Sequence, residues 1–421
     1  MSIKSFISNT WLQIRSMIST LSKPERWLID MFGGGESKAG VRVNADNAIK
    51  VIAVFACVRL ISETVASIRP KLLRKLKRGN EEATDELLYH LLYYLPNPEM
   101  TAFEFWQVMM FFALLYKNGG LAEIVRNQNG DIVELWPIPP WCWTQDRNPN
   151  TKELMYKVNA PDKKQYTLYP EDVFHLKGFT FNGIEGFDPV ELFKEAAGLS
   201  IAAEEYASRY FSNGTNAGGI VEYDGKMSDI AFDRYKKSMS EEYAGLGKSN
   251  RLIFLEQGAK FTKIATPPNE SQFIETRQHQ VVEIARFFNV QPDMIMDFMR
   301  ATFSNIEHAS LRYIMFTIDP WAEKIELAIY KDLIMPQKRK KLYAKFNFNK
   351  LLRADFKTRM EGYHWMIQDG VYSPNDVLEL EDKNPIPGSE GDRHYINGNM
   401  VPLEMAGMNL VNTIDKGGGN K

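Results

Sequence analysis

The stretch 271–334 restricts the fold more than any other part of the chain, because it specifies two long amphipathic helices and an interruption that neither can absorb. Phe273, Ile274, Val281, Ile284, Ala285 and Phe288 recur on one face at a 3.6-residue period, with Glu275, His279, Glu283 and Arg286 largely away from it. Asn289-Val290-Gln291-Pro292 is expected to stop that helix, since the residue before a proline is pushed out of the helical region. A Met-rich loop follows over 293–303, with Asp293, Met294, Met296, Asp297, Met299, Arg300 and Thr302. A second helix is predicted from Ser304, whose spacing to Glu307 is that of a capping box. Its apolar face, Tyr313, Ile314, Ile318, Trp321, Ile325, Ala328 and Ile329, runs through Pro320, which is expected to kink it.

Residues 1–31 have patchy helical amphipathicity and end at Gly33-Gly34-Gly35, which reads as an arm. Over 48–68, Ile52, Phe55, Val58, Ile61, Val65 and Ile68 predict a core-facing helix; Cys57 within it reads as core, no His being paired with it in sequence. The basic run Arg69, Lys71, Arg74, Lys75, Lys77 and Arg78 is interleaved with leucines, and a solvated edge strand or hairpin stands ahead of a DNA contact there. Thr101 and Glu104 cap a buried helix. Strands 121–126 and 132–138 flank Asn129-Gly130, which favours a type I′ hairpin. Trp136, Trp141 and Trp143 among prolines suit either base stacking or, more often, a core edge. Short strands are read at 156–158, 165–168 and 173–177.

Asp188-Pro189-Val190-Glu191 places an N-cap, an N1 proline and an N3 acid in order. The helix it starts runs to about Phe211 and is rich in small side chains, Ala196, Ser200, Ala203 and Ala207 among them. These permit close contact with neighbouring helices, in a ring of packed helices or in an ordinary bundle core. Between it and the helix at 271 lies a small α/β pattern: strand 219–223, helix 228–243, strands 251–255 and 259–264. After a basic run at 338–341 come a strand at 342–348 and helices at 355–368 and 374–380, the last capped by Ser373; 384–421 reads as loosely ordered.

With 51 basic and 53 acidic residues the formal charge is −2, which disfavours a tight grip on nucleic acid through many phosphates. Two cysteines, Cys57 and Cys142, provide neither a disulfide framework nor a thiolate metal site. The longest apolar run, 108–116, is too short to cross a membrane, so none is expected as a partner. Gly245-Leu246-Gly247-Lys248-Ser249 imitates a phosphate loop, but Glu242 stands where the first glycine should, and the segment follows a helix and precedes a strand. His279 and Glu283 share a helical face without a second His at motif spacing. No catalytic residue, cofactor or metal is expected.

Four segments carry a resemblance: LPNPEMTAFEFW (95–106), YFSNGTNAGGIV (210–221), EIARFFNVQPDMI (283–295) and SNIEHASLRYIMFTIDPWAEKIE (304–326). Over roughly 46–397 the chain resembles the portal proteins of tailed bacteriophages, the siphovirus type of head portal. It departs from the family at Asn118-Gly119-Gly120-Leu121 and Gly186-Phe187-Asp188-Pro189, in place of a GNAY-like segment and a G-x-S-P turn. Glu171, Asp172 and His175 resemble a family motif of structural character.

The resemblance implies an α+β portal fold: an arm (1–45), an α/β wing (46–187), a stem helix (188–211), a small α/β clip (212–270) and a second stem helix (271–288). A tunnel loop (289–305), a long kinked helix with a wing strand (306–354) and a helical crown with a tail (355–421) complete it. The implied role is a ring of twelve copies at one capsid vertex of the virion, assembled in the bacterial host cytoplasm, through which double-stranded DNA passes. Asp293, Met294, Met296, Asp297, Met299, Arg300 and Thr302 would line the channel. Ala196, Ser200, Ala203, Ala207, Val281 and Ile284 would pack the stem between copies. The terminase large subunit, the major capsid or scaffold protein and the head–tail connector are the implied partners. The alternative of another class is a DNA-processing enzyme of the packaging apparatus, using the 245–249 segment or a His/Glu metal site.

Overall fold

The computed structural model describes residues 35–395, apart from 78, 160–164, 213–218, 223–229, 231, 234–259, 264–269, 297–305, 349–350, 352–355, 382–383 and 388. A narrow ribbon of β1 (Gly35–Glu36) and β2 (Arg42–Val43) leads into α1 (Ala45–Ala48), where Asn44 and Asn47 exchange cap hydrogen bonds. In α2 (Ile52–Ile68), Val54, Cys57, Val58, Ile61 and Val65 are the buried face. Ile52 and Phe55, expected in the core, are instead 76% and 49% exposed, because the stripe that meets α4 is displaced from them around the helix.

β3 (Lys71–Lys75) pairs with β4 (Asn80–Glu82) as the expected hairpin, but β13 (Leu342–Lys345) lies on its other side, so it is a central strand and not an edge. Its second neighbour comes from about 270 residues away, which no local pattern announces. Two bases of this strand are paired locally: Lys71 with Glu82, and Arg74 with Glu81 and with Asp85 at 2.7 Å. After α3 (Leu87–Tyr93), absent from the sequence reading, α4 (Ala102–Leu115) starts at the expected capping box, Thr101 N–H donating to Glu104 Oε2 at 2.8 Å. The two long helices α2 and α4 pack on each other.

β5 (Gly120–Arg126) and β6 (Ile132–Ile138) form the expected hairpin, with a different turn. A type I′ turn needs positive φ at two residues, and here only Gly130 has it, at 85°. A wider loop closes with Asn127 N–H on Asp131 O, while Asn127 Oδ1 accepts from Asn129 and Asp131 N–H. The hairpin is extended as β10–β5–β6 by β10 (Val173–Leu176), beside a second sheet of β7 (Trp143–Arg147), β8 (Leu154–Asn159) and β9 (Gln165–Leu168). Leu121, Ile138, Trp143, Tyr156, Val158, Leu168 and Val173 form one core cluster, with Trp136 and Trp143 2% and 1% exposed; those two tryptophans take the core-edge reading.

The chain then runs through α5 (Pro189–Ser212), β11 (Gly219–Glu222), β12 (Lys260–Lys263) and α6 (Glu270–Phe287). It continues as α7 (Ile306–Tyr313), a π-helical turn (Ile314–Ile318), α8 (Asp319–Ala328) and a second π-helical turn (Ile329–Leu333) before β13. The strand expected at 251–255, the cap at Ser304, the 245–249 segment and all but 230, 232 and 233 of the helix expected at 228–243 lie outside the described residues. Phe348 ends this unit; in the second unit, 349–421, α9 (Phe356–Gln368) precedes α10 (Pro374–Leu380), and Ser373 and Asp376 form the cap box. Among the described residues every sheet pairing is antiparallel, and helix outweighs strand, an α+β fold.

Candidate channel loop and stem helices

α5 begins where the sequence places it. Asp188 Oδ1 accepts from Val190 N–H at 3.0 Å, and Pro189 at the first position has no N–H to leave unpaired. Its 24 residues span about 36 Å at 1.5 Å per residue. α6 lies antiparallel to it, since Phe193 near the start of α5 meets Phe287 and Phe288 at the end of α6, with centroids 4.8 and 5.7 Å away. At the other end of the pair, β11 and β12 form a two-stranded ribbon.

The stem residues divide by environment. Ala196, Ser200, Ala203, Ala207 and Val281 are half-buried within the single chain, and Ile284 is 1% exposed and belongs to the subunit's own core. Ala197 and Gly198 are the small residues this chain itself uses, Gly198 lying against Ser37 and Val43 of the N-terminal ribbon.

The end of α6 is set before Pro292 is reached. Asn289 takes φ of 55°, its N–H donates to Arg286 O, and Val290 N–H donates back to Ala285 O at 2.9 Å. This is a Schellman stop with asparagine in the left-handed position usually given to glycine, and Val290 and Ala285 supply its apolar contact. The sequence reading gave the stop to Pro292 and missed Asn289; the available signal was that asparagine tolerates that conformation.

Asn289 also ties the loop to the long helix. In an unbroken α-helix the Phe316 carbonyl would accept the N–H of residue 320, which is proline and has none. Asn289 Nδ2 donates to Phe316 O at 2.7 Å, and Thr317 Oγ1 donates to Asn289 O at 2.5 Å. The turn before Pro320 widens to π geometry, with Asp319 N–H reaching Ile314 O, so the helix continues through the proline. The loop then makes a 3₁₀ turn, Pro292–Ile295, and Met296 follows with φ of 68° and 78% of its surface exposed. Asp293 and Met294 are half-buried in this turn. Asp297, Met299, Arg300 and Thr302 lie outside the described residues.

The tempting chemical groups are accounted for by packing. His175 is buried, its Nε2 donating to Asn118 O at 2.8 Å and its Nδ1 accepting from Tyr156 O–H at 3.1 Å. Burial lowers its pKa to about 4, so it stays neutral, and its backbone N–H meets Asp332 of the second π-helical turn. Burial pushes the Cys57 thiol up to about 12, far from a thiolate nucleophile at neutral pH. His279 is exposed and lies 3.9 Å from the half-buried Glu283, which also pairs with Arg286. Among the described residues no group of three or more His, Cys, Asp or Glu side chains could hold a metal, and no helix is long and apolar enough to cross a membrane.

A sequence model of the phage portal protein family matches residues 52–382. The chain belongs to the phage portal protein family. Its relatives include the probable portal protein of Streptomyces phage phiC31, 32% identical over 87% of this chain and 82% of that one. The portal fold is shared with the crystal structure of an HK97 family phage portal protein from Corynebacterium diphtheriae, with TM-score 0.56, 19% identity and coverage of 76% of this chain and 98% of that one. The neck of an empty gene transfer agent particle, computed with C6 symmetry, also matches, with TM-score 0.56 and 18% identity over 89% of this chain and 99% of that one.

Proposed function

We propose that this chain is the portal subunit of a phage head: copies of it, twelve in the particle, close into a ring at one capsid vertex, and double-stranded DNA passes through the centre. The observation that carries the reading is the pairing of portal family membership over 52–382 with the anchored loop exit at Asn289–Met296. A rigid antiparallel stem ends in a turn that is tied to the long helix and presents Met296 to solvent. Met294, Met296 and Met299 give soft apolar contact, and Asp293 and Asp297 outweigh Arg300, so the loop touches DNA without holding its phosphates. The sixfold symmetry of the gene transfer agent neck supports closure into a ring, since twelve subunits satisfy it.

In this reading 212–270 is the clip that receives the terminase large subunit and later the head–tail connector, and the wing meets the capsid or scaffold protein. Assembly takes place in the host cytoplasm, and the mature location is the virion. The ring packs Ala196, Ser200, Ala203 and Ala207 of one stem against Val281 and its neighbours in the next. We assign the chain no catalysis; nucleotide hydrolysis by the purified protein would count for the enzyme alternative. Negative-stain microscopy of the purified chain tests the ring directly. Ala203→Arg is expected to abolish rings with the circular dichroism of the subunit unchanged, because a large charged side chain does not fit a close helix contact. Intact rings in that variant would refute the packing.

A further inference from the structure

The segment between β10 and α5 holds three phenylalanines in a fixed arrangement. Phe187 stacks on Phe179 with centroids 5.8 Å apart and meets Phe181 edge-on at 5.9 Å. Phe187 N–H donates to Phe179 O at 2.8 Å, Asn182 Oδ1 accepts from Ile184 and Glu185 N–H, and Lys177 Nζ reaches Gly183 O. Despite this bracing, Phe179 and Phe181 are 73% and 89% exposed. An exposed aromatic pair already held in place loses little freedom on docking.

A groove of about 320 Å³ lies between α2 and α4, lined by Phe55, Val58, Val108 and Phe111, with Arg59 and Glu63 on its rim. Ser62 Oγ is buried in it without a hydrogen-bond partner among the described residues. On α4, Phe111 of the groove and Ala113, whose carbonyl lies against Gly178 at the root of the phenylalanine knob, are roughly 160° apart at 3.6 residues per turn. Knob and groove therefore lie on opposite sides of one helix.

We propose that the Phe179–Phe181 knob of one subunit docks into the α2–α4 groove of the next copy in the ring, an inference that rests on the ring reading above. Unlike patches on opposite sides cannot satisfy each other within a chain or across a two-fold axis, whereas head-to-tail repetition joins them and closes into a ring. The charges agree. Glu185 beside the knob has no side-chain partner among the described residues, and Arg59 gives Glu63 only its Nε at 3.0 Å, leaving both Nη groups for an acid. Two phenylalanines bury about 150–250 Å² each, well under the ~1,600 Å² of a standard stable pair. The contact thus suits one part of a larger ring interface and not a free-standing dimer.

The test is disulfide trapping in the full chain with Val108→Cys and Phe181→Cys together, each single variant serving as control alongside the buried native Cys57 and the half-buried Cys142. Arg59→Cys with Glu185→Cys, both on exposed side chains, is an independent second pair. Mild oxidation should give a non-reducing gel ladder rising through successive multimers for the double variants and none for the singles. Rings by microscopy without a ladder from either pair would overturn this contact and leave the ring standing. Cross-linking of the knob to a co-expressed capsid or scaffold protein in place of the next copy would likewise overturn it. Absence of rings from the unmodified protein would remove the ring reading and this contact together.

Discussion

Glu123 lies in β5 with its Oε2 sealed from solvent and without a hydrogen-bond partner among the described residues. Burial, with the Asp172 charge adding to it, lifts the carboxyl from 4.5 to about 7. A carboxyl raised in the folded state holds its proton above the pH at which the unfolded chain releases it, so its share of stability is present below pH 4.5 and is lost as pH climbs to about 7. The full loss corresponds to about 3 kcal/mol. The urea midpoint should therefore fall between pH 5 and pH 8, and Glu123→Gln should flatten that slope and be the more stable protein at pH 8; an unchanged slope would contradict the assignment. Gly198 makes a second residue-scale case. A Cβ there would collide with Ser37, so Gly198→Ala should cost about 1–3 kcal/mol by overpacking, and Ser37→Gly should restore most of it. Simple addition of the two losses would place the cost elsewhere. The abundance of small residues in α5 was legible in the sequence, but the use of Gly198 by a serine some 160 residues earlier was not, because it depends on which elements meet.

At the scale of elements, the features that are local were legible. Thr101 with Glu104, Asp188 with Pro189, and Ser373 with Asp376 begin helices where the residues say they should, since a cap closes over three or four positions. The central place of β3 and the π-helical turn at Ile314–Ile318 were not legible: the first needs β13, and the second is an accommodation that Pro320 shares with Asn289. Pro320 reads as a kink in isolation; together with Asn289 it becomes the point that fixes where the loop after α6 leaves the body. Asn289→Gly keeps the left-handed backbone and loses the bond to Phe316 O, and should cost about 1 kcal/mol. Asn289→Ala loses the backbone fit as well and should cost more. Adding Pro320→Ala should narrow the gap to the unmodified protein by returning an N–H to that carbonyl, as measured by urea unfolding. Equal costs for the two Asn289 variants would mean that the left-handed turn carries no weight.

For the whole molecule, the pattern of helix, loop and long helix was visible in residues 271–334 because amphipathic periods are local, and the family resemblance gave the loop its meaning. The proposed contact between copies rests on surfaces that only the folded chain assembles, the phenylalanine knob and the α2–α4 groove on opposite sides of α4. The central claim is that DNA passes the 293–303 loop of every subunit in a ring without being gripped. Each loop carries Asp293 and Asp297 against Arg300, one net negative charge that the ring multiplies by its subunit number. The direct measurement is the DNA packaging rate in a purified motor system, at low and high salt, with rings of the unmodified chain and of the Asp293→Lys, Asp297→Lys variant. The account predicts that the variant still forms rings, slows or stalls translocation at low salt, and recovers as salt screens the phosphates; an unchanged rate at low salt would contradict it.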